Sequence, residues 1–118
     1  QSKEALKSLL VAQDKIRDGK SVHLFADGTR SKDGSIQPFK RGAFLLASRT
    51  GTPVLPVTIL NSHLIVEKGS FKIRSGTITL VVDKPIQLPE REHKSAERLQ
   101  EVSYQTIFNT HKKFAEAL

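Results

Sequence analysis

Residues 21–60 constrain the fold more than any other part of the chain, because two apolar runs of strand type flank one run of helix type. Ser21 to Ala26 carries Val22, Leu24 and Phe25 and leads into Asp27-Gly28, a turn pair, so it is predicted to be a buried strand that delivers a loop. Gly42 to Thr50 contains Ala43, Phe44, Leu45, Leu46 and Ala47 and is followed by Gly51, which predicts a helix with a glycine stop. Pro53 through Leu60 reads as a second strand. A strand, helix, strand succession is the usual way to build a parallel pair, with a right-handed crossover. The expected class is α/β, with a partly parallel mixed sheet flanked by helices.

The flanking segments agree with that class. Leu6, Leu9, Leu10 and Ile16 fall near one side of a 3.6-residue period between Lys3 and Asp18, and Gly19 follows, so an amphipathic helix is predicted there. Two further β segments are expected, roughly at 63–66 and 71–82. In the later one Thr77, Ile78, Thr79, Leu80, Val81 and Val82 are nearly all β-branched, and Gly76 marks a turn or bulge. Ser95 to Ala117 is polar and helix-favouring, with Ala96, Leu99, Val102, Thr106 and Ala117 on a loose stripe, and is predicted to be a covering helix. With no internal repeat, low-complexity tract or break in composition, residues 1–118 read as one unit.

The 118 residues, 37% of them hydrophobic, suffice for one core and exclude a large multidomain enzyme. Cysteine is absent, which excludes a disulfide scaffold, a thiolate nucleophile and any thiolate-held zinc or iron–sulfur centre within these residues. Methionine is absent too, and the chain opens at Gln1, so it is expected to be a processed product or part of something longer. The 19 Lys and Arg against 12 Asp and Glu give a net charge of +7, a field that favours anionic partners. No stretch approaches the roughly 18 apolar residues needed to cross a bilayer, so membrane contact by this segment is expected to be peripheral.

Chemistry is concentrated in Phe25-Ala26-Asp27-Gly28-Thr29-Arg30-Ser31, at the end of the first predicted strand, where ligands of open α/β sheets commonly bind. Gly28 lets backbone approach a ligand closely, Thr29 and Ser31 supply hydroxyls, and Arg30 presents a fork of donors suited to phosphate oxygens. Lys40 and Arg41 precede the helix that starts at Gly42, whose free N–H groups and dipole also favour negative charge. By residue type alone the same loop also reads as a solvated turn. A nucleotide P-loop is excluded, since no Gly-Lys-Ser/Thr follows Gly28.

The block Phe25 to Ser31 resembles the Phe-Pro-Glu-Gly-Thr-Arg-Ser block of the glycerolipid acyltransferase family, which includes the 1-acylglycerol-3-phosphate acyltransferases. Phe39-Lys40-Arg41-Gly42-Ala43-Phe44, then Ala47, then Gly51 to Ile59 resembles that family's stretch from its basic helix start to its Val-Pro-Val block. Gly76 to Ile86, ending Asp83-Lys84-Pro85-Ile86, is similar to its late strand and Pro-Ile exit. The resemblance covers almost the whole chain, in matching order and spacing, and identifies it as the C-terminal portion of such a domain.

The resemblance implies transfer of an acyl group from acyl-CoA or acyl-carrier protein to a lysophospholipid hydroxyl, with no other cofactor. It carries Gly28, Thr29, Arg30 and Ser31 over as the acceptor's phosphate loop, Asp27 as its supporting carboxylate, and Lys40 and Arg41 as further substrate-binding residues. The family's base is a His-x4-Asp motif near the domain's start, and none of His23, His63, His93 or His111 has an Asp five positions later. No catalytic residue is therefore assigned within the chain, and the segment is expected to be inactive alone. His23 and Asp27, four apart on a presumed strand, share one face, although the family's base does not sit there. Ala26 stands where the family has Pro and Asp27 where it has Glu, which loosens the turn and shortens the carboxylate's reach. Pro56 matches a block associated with the acyl-donor side and reads equally as core.

The implied partners are the lysophospholipid, the acyl donor and a peripheral membrane surface, with membrane association at the cytoplasmic face. A competing reading is a non-catalytic module for anionic phospholipid or nucleic acid, supported by the net charge and by Arg30, Lys32, Lys40 and Arg41. With one Tyr and no Trp to stack on bases, nucleic acid is not expected. The scattered histidines lack ligand spacing with carboxylates, so no metal is expected.

Overall fold

A computed structural model of the chain describes residues 3–26, 36–61, 75–89 and 95–117. Five elements lie in these stretches: α1 (Lys3–Arg17), α2 (Gly42–Thr50), β1 (Val57–Leu60), β2 (Thr79–Val82) and α3 (Ala96–Ala117). The α/β class expected from the sequence is the class observed. The predicted strand around 63–66 lies outside the described residues, as does the 71–74 part of the later one.

Both short helices stop where a glycine permits it. Gly19 has φ +88° and Gly51 φ +64°, in the left-handed region. At each, two N–H groups turn back onto the last helical turn: Gly19 to Ile16 and Lys20 to Lys15 at 2.9 and 3.0 Å, Gly51 to Ser48 and Thr52 to Ala47 at 3.4 and 3.1 Å. Helix α3 begins at Ser95, whose Oγ accepts the Arg98 N–H at 3.3 Å and satisfies one donor that the helix itself cannot.

The core lies between α2 and α3. Phe44, Ala47, Ala96 and Leu99 form a buried cluster, against which Ala26, Phe39, Ala43, Leu45, Val54, Ile86 and Leu88 are packed. Phe44, Ala47 and Ser48 follow the i, i+3, i+4 rule on one face of α2. On α3 the buried positions are Ala96, Leu99, Ser103 and Thr110, a heptad-like stripe. Ser103, not the predicted Val102, is fully inside, and Val102 is half-buried. Amphipathic α1 rests against α2 across a shallow cleft of about 60 Å³ lined by Leu6, Leu9, Leu10, Leu45 and Leu46, and none of its own residues is fully buried.

The β1–β2 pair is antiparallel, with Val57 opposite Val82 and Leu60 opposite Thr79. Its ladder continues through Asp83 N–H to the Pro56 carbonyl at 3.0 Å and a bridge between Val54 and Ile86. Asn61 leaves β1 with φ +70°, a conformation asparagine tolerates better than most residues. Strand β2 begins at Thr79, after Gly76 and two residues, Thr77 and Ile78, without regular structure. Thr58 and Leu60 are buried beneath α3, at 1% and 2% exposure.

One expected strand does not form. Residues Ser21 to Phe25 have no backbone hydrogen-bond partner among the described residues, and Val22, Leu24 and Phe25 are exposed. A strand is stabilised by its ladder and by side chains packed on its faces. This segment has neither here, so the expected parallel pair with β1 is absent from the described residues.

Candidate functional site

The described part of the site is the start of α2. Its position is fixed by Phe39, whose ring stacks on Phe44 with centroids 6.0 Å apart and meets the edge of Tyr104 at 5.1 Å. The Phe39 carbonyl accepts a 2.8 Å hydrogen bond from Gln100 Nε2 of α3. Each offset or edge-on aromatic pair contributes on the order of 1 kcal/mol beyond its buried area, so Phe39 is held by both helices.

Immediately after this anchor, the Lys40 N–H donates to the Ala26 carbonyl at 2.7 Å. The two ends of the 27–39 connection are thereby tied together at the first turn of α2. Arg41 caps that helix in a helical backbone conformation, and its carbonyl accepts the Phe44 and Leu45 N–H groups at 3.1 and 3.0 Å. Gly42 is buried, and the N–H groups of Gly42 and Ala43 stand in the first turn, where a helix offers them no acceptor. The first turn of α2 contains no acidic residue, so the positive end of its dipole is not offset from within the helix.

Lys40 and Arg41 both project into solvent. Arg41 Nη2 lies 3.3 Å from Glu97 Oε1, with the two side chains 55% and 78% exposed. A pair so open to water is worth about 0–1 kcal/mol and yields readily to a competing anion. Two exposed cationic residues, the N–H groups of Gly42 and Ala43, which have no acceptor among the described residues, and the positive end of a helix dipole therefore lie in one short stretch of chain. The arrangement suits a phosphate or carboxylate better than any neutral ligand.

Of the site residues expected from the sequence, Lys40 and Arg41 are exposed chain neighbours at the start of α2, while Asp27, Gly28, Thr29, Arg30 and Ser31 lie outside the described residues. The His23–Asp27 pairing lies partly outside them as well. His23 is exposed, its ring 5.0 Å from that of Phe25. Pro56 is buried and its carbonyl extends the sheet ladder, which is the core role. Among the described residues no group of three or more His, Asp or Glu is placed to hold a metal ion, and no helix is long and apolar enough to cross a membrane.

Sequence reasoning missed Gln100 and Tyr104, which hold Phe39 and so position the α2 start, and Glu97, which pairs with Arg41. Gln100 and Tyr104 are one turn apart on α3, so their sharing a face was legible. Their common partner Phe39, 61 residues before Gln100, was not.

The model of a family described as Acyltransferase matches residues 1–60, just over half of the chain. The chain is 44% identical over 72 residues to the chloroplastic 1-acyl-sn-glycerol-3-phosphate acyltransferase BAT2 of Brassica napus, a match covering 60% of this chain and 21% of that protein. It is 33% identical over 103 residues to a 1-acyl-sn-glycerol-3-phosphate acyltransferase of Chlamydomonas reinhardtii, covering 86% and 30%. Among solved structures, the 1-acyl-sn-glycerophosphate acyltransferase PlsC of Thermotoga maritima superposes with a TM-score of 0.82 at 28% identity, over 91% of this chain and 44% of that one. The chain thus spans less than half the length of each of these relatives.

Proposed function

Because the chain belongs to the acyltransferase family matched over residues 1–60, we propose that it is the acceptor-binding part of an enzyme acylating 1-acylglycerol-3-phosphate to phosphatidic acid. The free hydroxyl oxygen of the acceptor attacks the thioester carbonyl of acyl-CoA or acyl-carrier protein. The new C–O ester bond forms, the C–S bond breaks, and the hydroxyl proton passes through a base to the leaving thiol.

In this reading the acceptor's phosphate is held by Gly28, Thr29, Arg30 and Ser31, with Asp27 supporting the loop and Lys40 and Arg41 completing the positive field. The observation that carries it is the Ala26–Lys40 hydrogen bond, which sets the stem of the Gly-Thr-Arg-Ser block against the basic start of α2. The relatives' names supply the acceptor and the reaction. No residue of the chain stands in a His-x4-Asp motif, so the base belongs to polypeptide outside these 118 residues. The acceptor is a lipid, so the enzyme works at a membrane surface, placed here at its cytoplasmic face.

The test is an acyl-transfer assay with lysophosphatidic acid and acyl-CoA or acyl-carrier protein, on the 118-residue chain and on a polypeptide extended with the coding sequence upstream of Gln1. The extended form is expected to turn over and the short form is not. Robust activity of the short form refutes the external base, and an extended form that contains His-x4-Asp, folds and still acylates no lysophospholipid refutes the function.

A further inference from the structure

Three elements carry exposed apolar side chains: Leu6, Leu10 and Val11 on α1, Leu80 and Val82 on β2, each of the two 60% exposed, and Phe108 on α3. Their electrostatic settings differ. On α1, Glu4 and Asp14 are interspersed with the lysines, and Leu6 and Leu10 already line the cleft against α2. Beyond β2, Asp83 and Lys84 carry opposite charges. On α3 there is no Asp or Glu from Val102 to Phe114, while His111, Lys112 and Lys113 follow one another.

The buried stripe of α3 runs through Ala96, Leu99, Ser103 and Thr110, and helical spacing puts Phe108 on nearly the opposite side, with Tyr104 and Lys112 one turn before and after it. The Phe108 ring stacks on Tyr104 at 5.9 Å, and Tyr104 meets Phe39 at 5.1 Å, so a row of rings runs from the open surface of α3 to the residue before Lys40. Glu101, two turns before Phe108, is engaged by Arg98 at 3.7 Å. Lys113 Nζ stands 5.7 Å over the Phe114 ring, a second pairing of ammonium with aromatic ring on this part of the helix.

We infer that the outward face of α3, centred on Phe108 and flanked by Tyr104, Lys112 and Lys113, docks on an anionic lipid surface. The inference rests on the acyltransferase reading above and deepens it by naming the face that meets the membrane. An exposed aromatic ring with lysines beside it has the composition of a helix lying in an interface, the ring at headgroup level and the ammonium groups at the phosphates. A helix is about 10 Å across, so Lys113 on its flank stays within roughly one Debye length of a leaflet that Phe108 touches. The row of rings favours a lipid over other anions. The proposed acceptor is itself a lipid with its phosphate held beside Lys40, and Phe39 and Tyr104 join that position to Phe108, so a single docked orientation turns both toward one leaflet. A nucleic acid uses several open rings for successive bases, whereas Tyr104 is half-buried and Phe108 is the one exposed ring of this face.

The chain has no Trp, so Phe108→Trp places a single reporter in the face, with Val11→Trp on α1 and Leu80→Trp on β2 reporting on the other exposed patches. Each variant of the 118-residue chain is titrated with phosphatidylglycerol and with phosphatidylcholine vesicles, and its emission and acrylamide quenching are read. Phosphatidylglycerol is expected to shift the Phe108→Trp emission to the blue and cut its quenching several-fold, with Val11→Trp and Leu80→Trp unchanged and phosphatidylcholine without effect. Each lysine near an anionic leaflet multiplies partitioning about fivefold, so adding Lys112→Gln and Lys113→Gln is expected to raise the half-saturating lipid concentration about 25-fold. Gln105→Trp, at an exposed neighbouring position, repeats the measurement should Phe108→Trp disturb the fold. An unshifted α3 reporter, an equal response to phosphatidylcholine, an equal or larger shift at Val11→Trp or Leu80→Trp, or indifference to the two lysines overturns the inference. So does a shift that grows with protein concentration without lipid, which indicates a second copy, or one produced by an oligonucleotide or by acyl-carrier protein and not by vesicles. Acyl transfer is assayed separately on the upstream-extended polypeptide without a reporter. Vesicle docking without lysophosphatidic acid acylation leaves the surface and removes the activity, and acylation with an unshifted α3 reporter does the reverse.

Discussion

Replacing Arg41 by alanine separates binding from folding. In the structure its guanidinium has one ionic partner among the described residues, Glu97 at 3.3 Å, and both side chains are more than half exposed. In water two unit charges at that distance attract by roughly 1.3 kcal/mol, and ordering two long side chains cancels most of it. The variant is therefore expected to lose less than about 1 kcal/mol in urea unfolding. A hydrogen bond from a guanidinium to a charged phosphate is worth about 1.5–3 kcal/mol, so loss of that contact raises the KM for lysophosphatidic acid about 10- to 100-fold. A contact to the unreacting phosphate is the same in ground and transition states, so kcat is unchanged. The assay is steady-state acyl transfer by the upstream-extended polypeptide, with the acceptor varied at saturating donor. Glu97→Gln, which removes the competing carboxylate, should leave the acceptor KM equal or lower. An unaltered acceptor KM in Arg41→Ala, or a stability loss above 2 kcal/mol, refutes the placement of Arg41 as an open anion contact.

Leu99→Ala empties a site that is 4% exposed between α2 and α3, and should cost about 3 kcal/mol by chemical denaturation, against less than about 0.5 kcal/mol for Leu80→Ala in the short chain. Similar costs at the two positions would contradict the assignment of core and bare face. Thr58 Oγ1 is buried without a hydrogen-bond partner among the described residues, so Thr58→Val is expected to stabilise the chain by about 1 kcal/mol in the same measurement, and a destabilisation would show that the hydroxyl is satisfied. Gln100→Ala removes the bond to the Phe39 carbonyl and should cost about 1 kcal/mol while raising the acceptor KM of the extended enzyme, because Phe39 sets the α2 start. Acceptor binding that survives Gln100→Ala intact would remove the residue from that role.

Local chemistry made the helices legible. Gly19 and Gly51 adopt the left-handed backbone that ends α1 and α2, and the i, i+3, i+4 spacing of Phe44, Ala47 and Ser48 is the face that packs. The covering helix from Ser95 was legible for the same reason, although its stripe is completed by Ser103 and Thr110, whose polarity disguises them. Thr110 is a core position because its Oγ1 bonds Asp83 Oδ2 at 2.8 Å, a partner 27 residues away that no periodicity announces. Ser21–Phe25 misled because strand propensity reports a surface that fits a sheet, not whether a neighbouring strand is present. The basic start of α2 was readable from Lys40, Arg41 and Gly42. Its fixation through Phe39, Tyr104 and Gln100 was not, being a matter of contacts between elements far apart in the chain.

The central claim, that this chain grips the phosphate of a lysolipid, is tested most directly at Arg30 in the upstream-extended polypeptide. Acyl transfer is measured with 1-acylglycerol-3-phosphate and with the same monoacylglycerol lacking its phosphate. Wild type is expected to prefer the phosphorylated acceptor strongly in kcat/KM, and Arg30→Ala to reduce that preference about 10- to 100-fold while leaving use of the neutral acceptor unchanged. A preference that persists undiminished in Arg30→Ala would contradict the account.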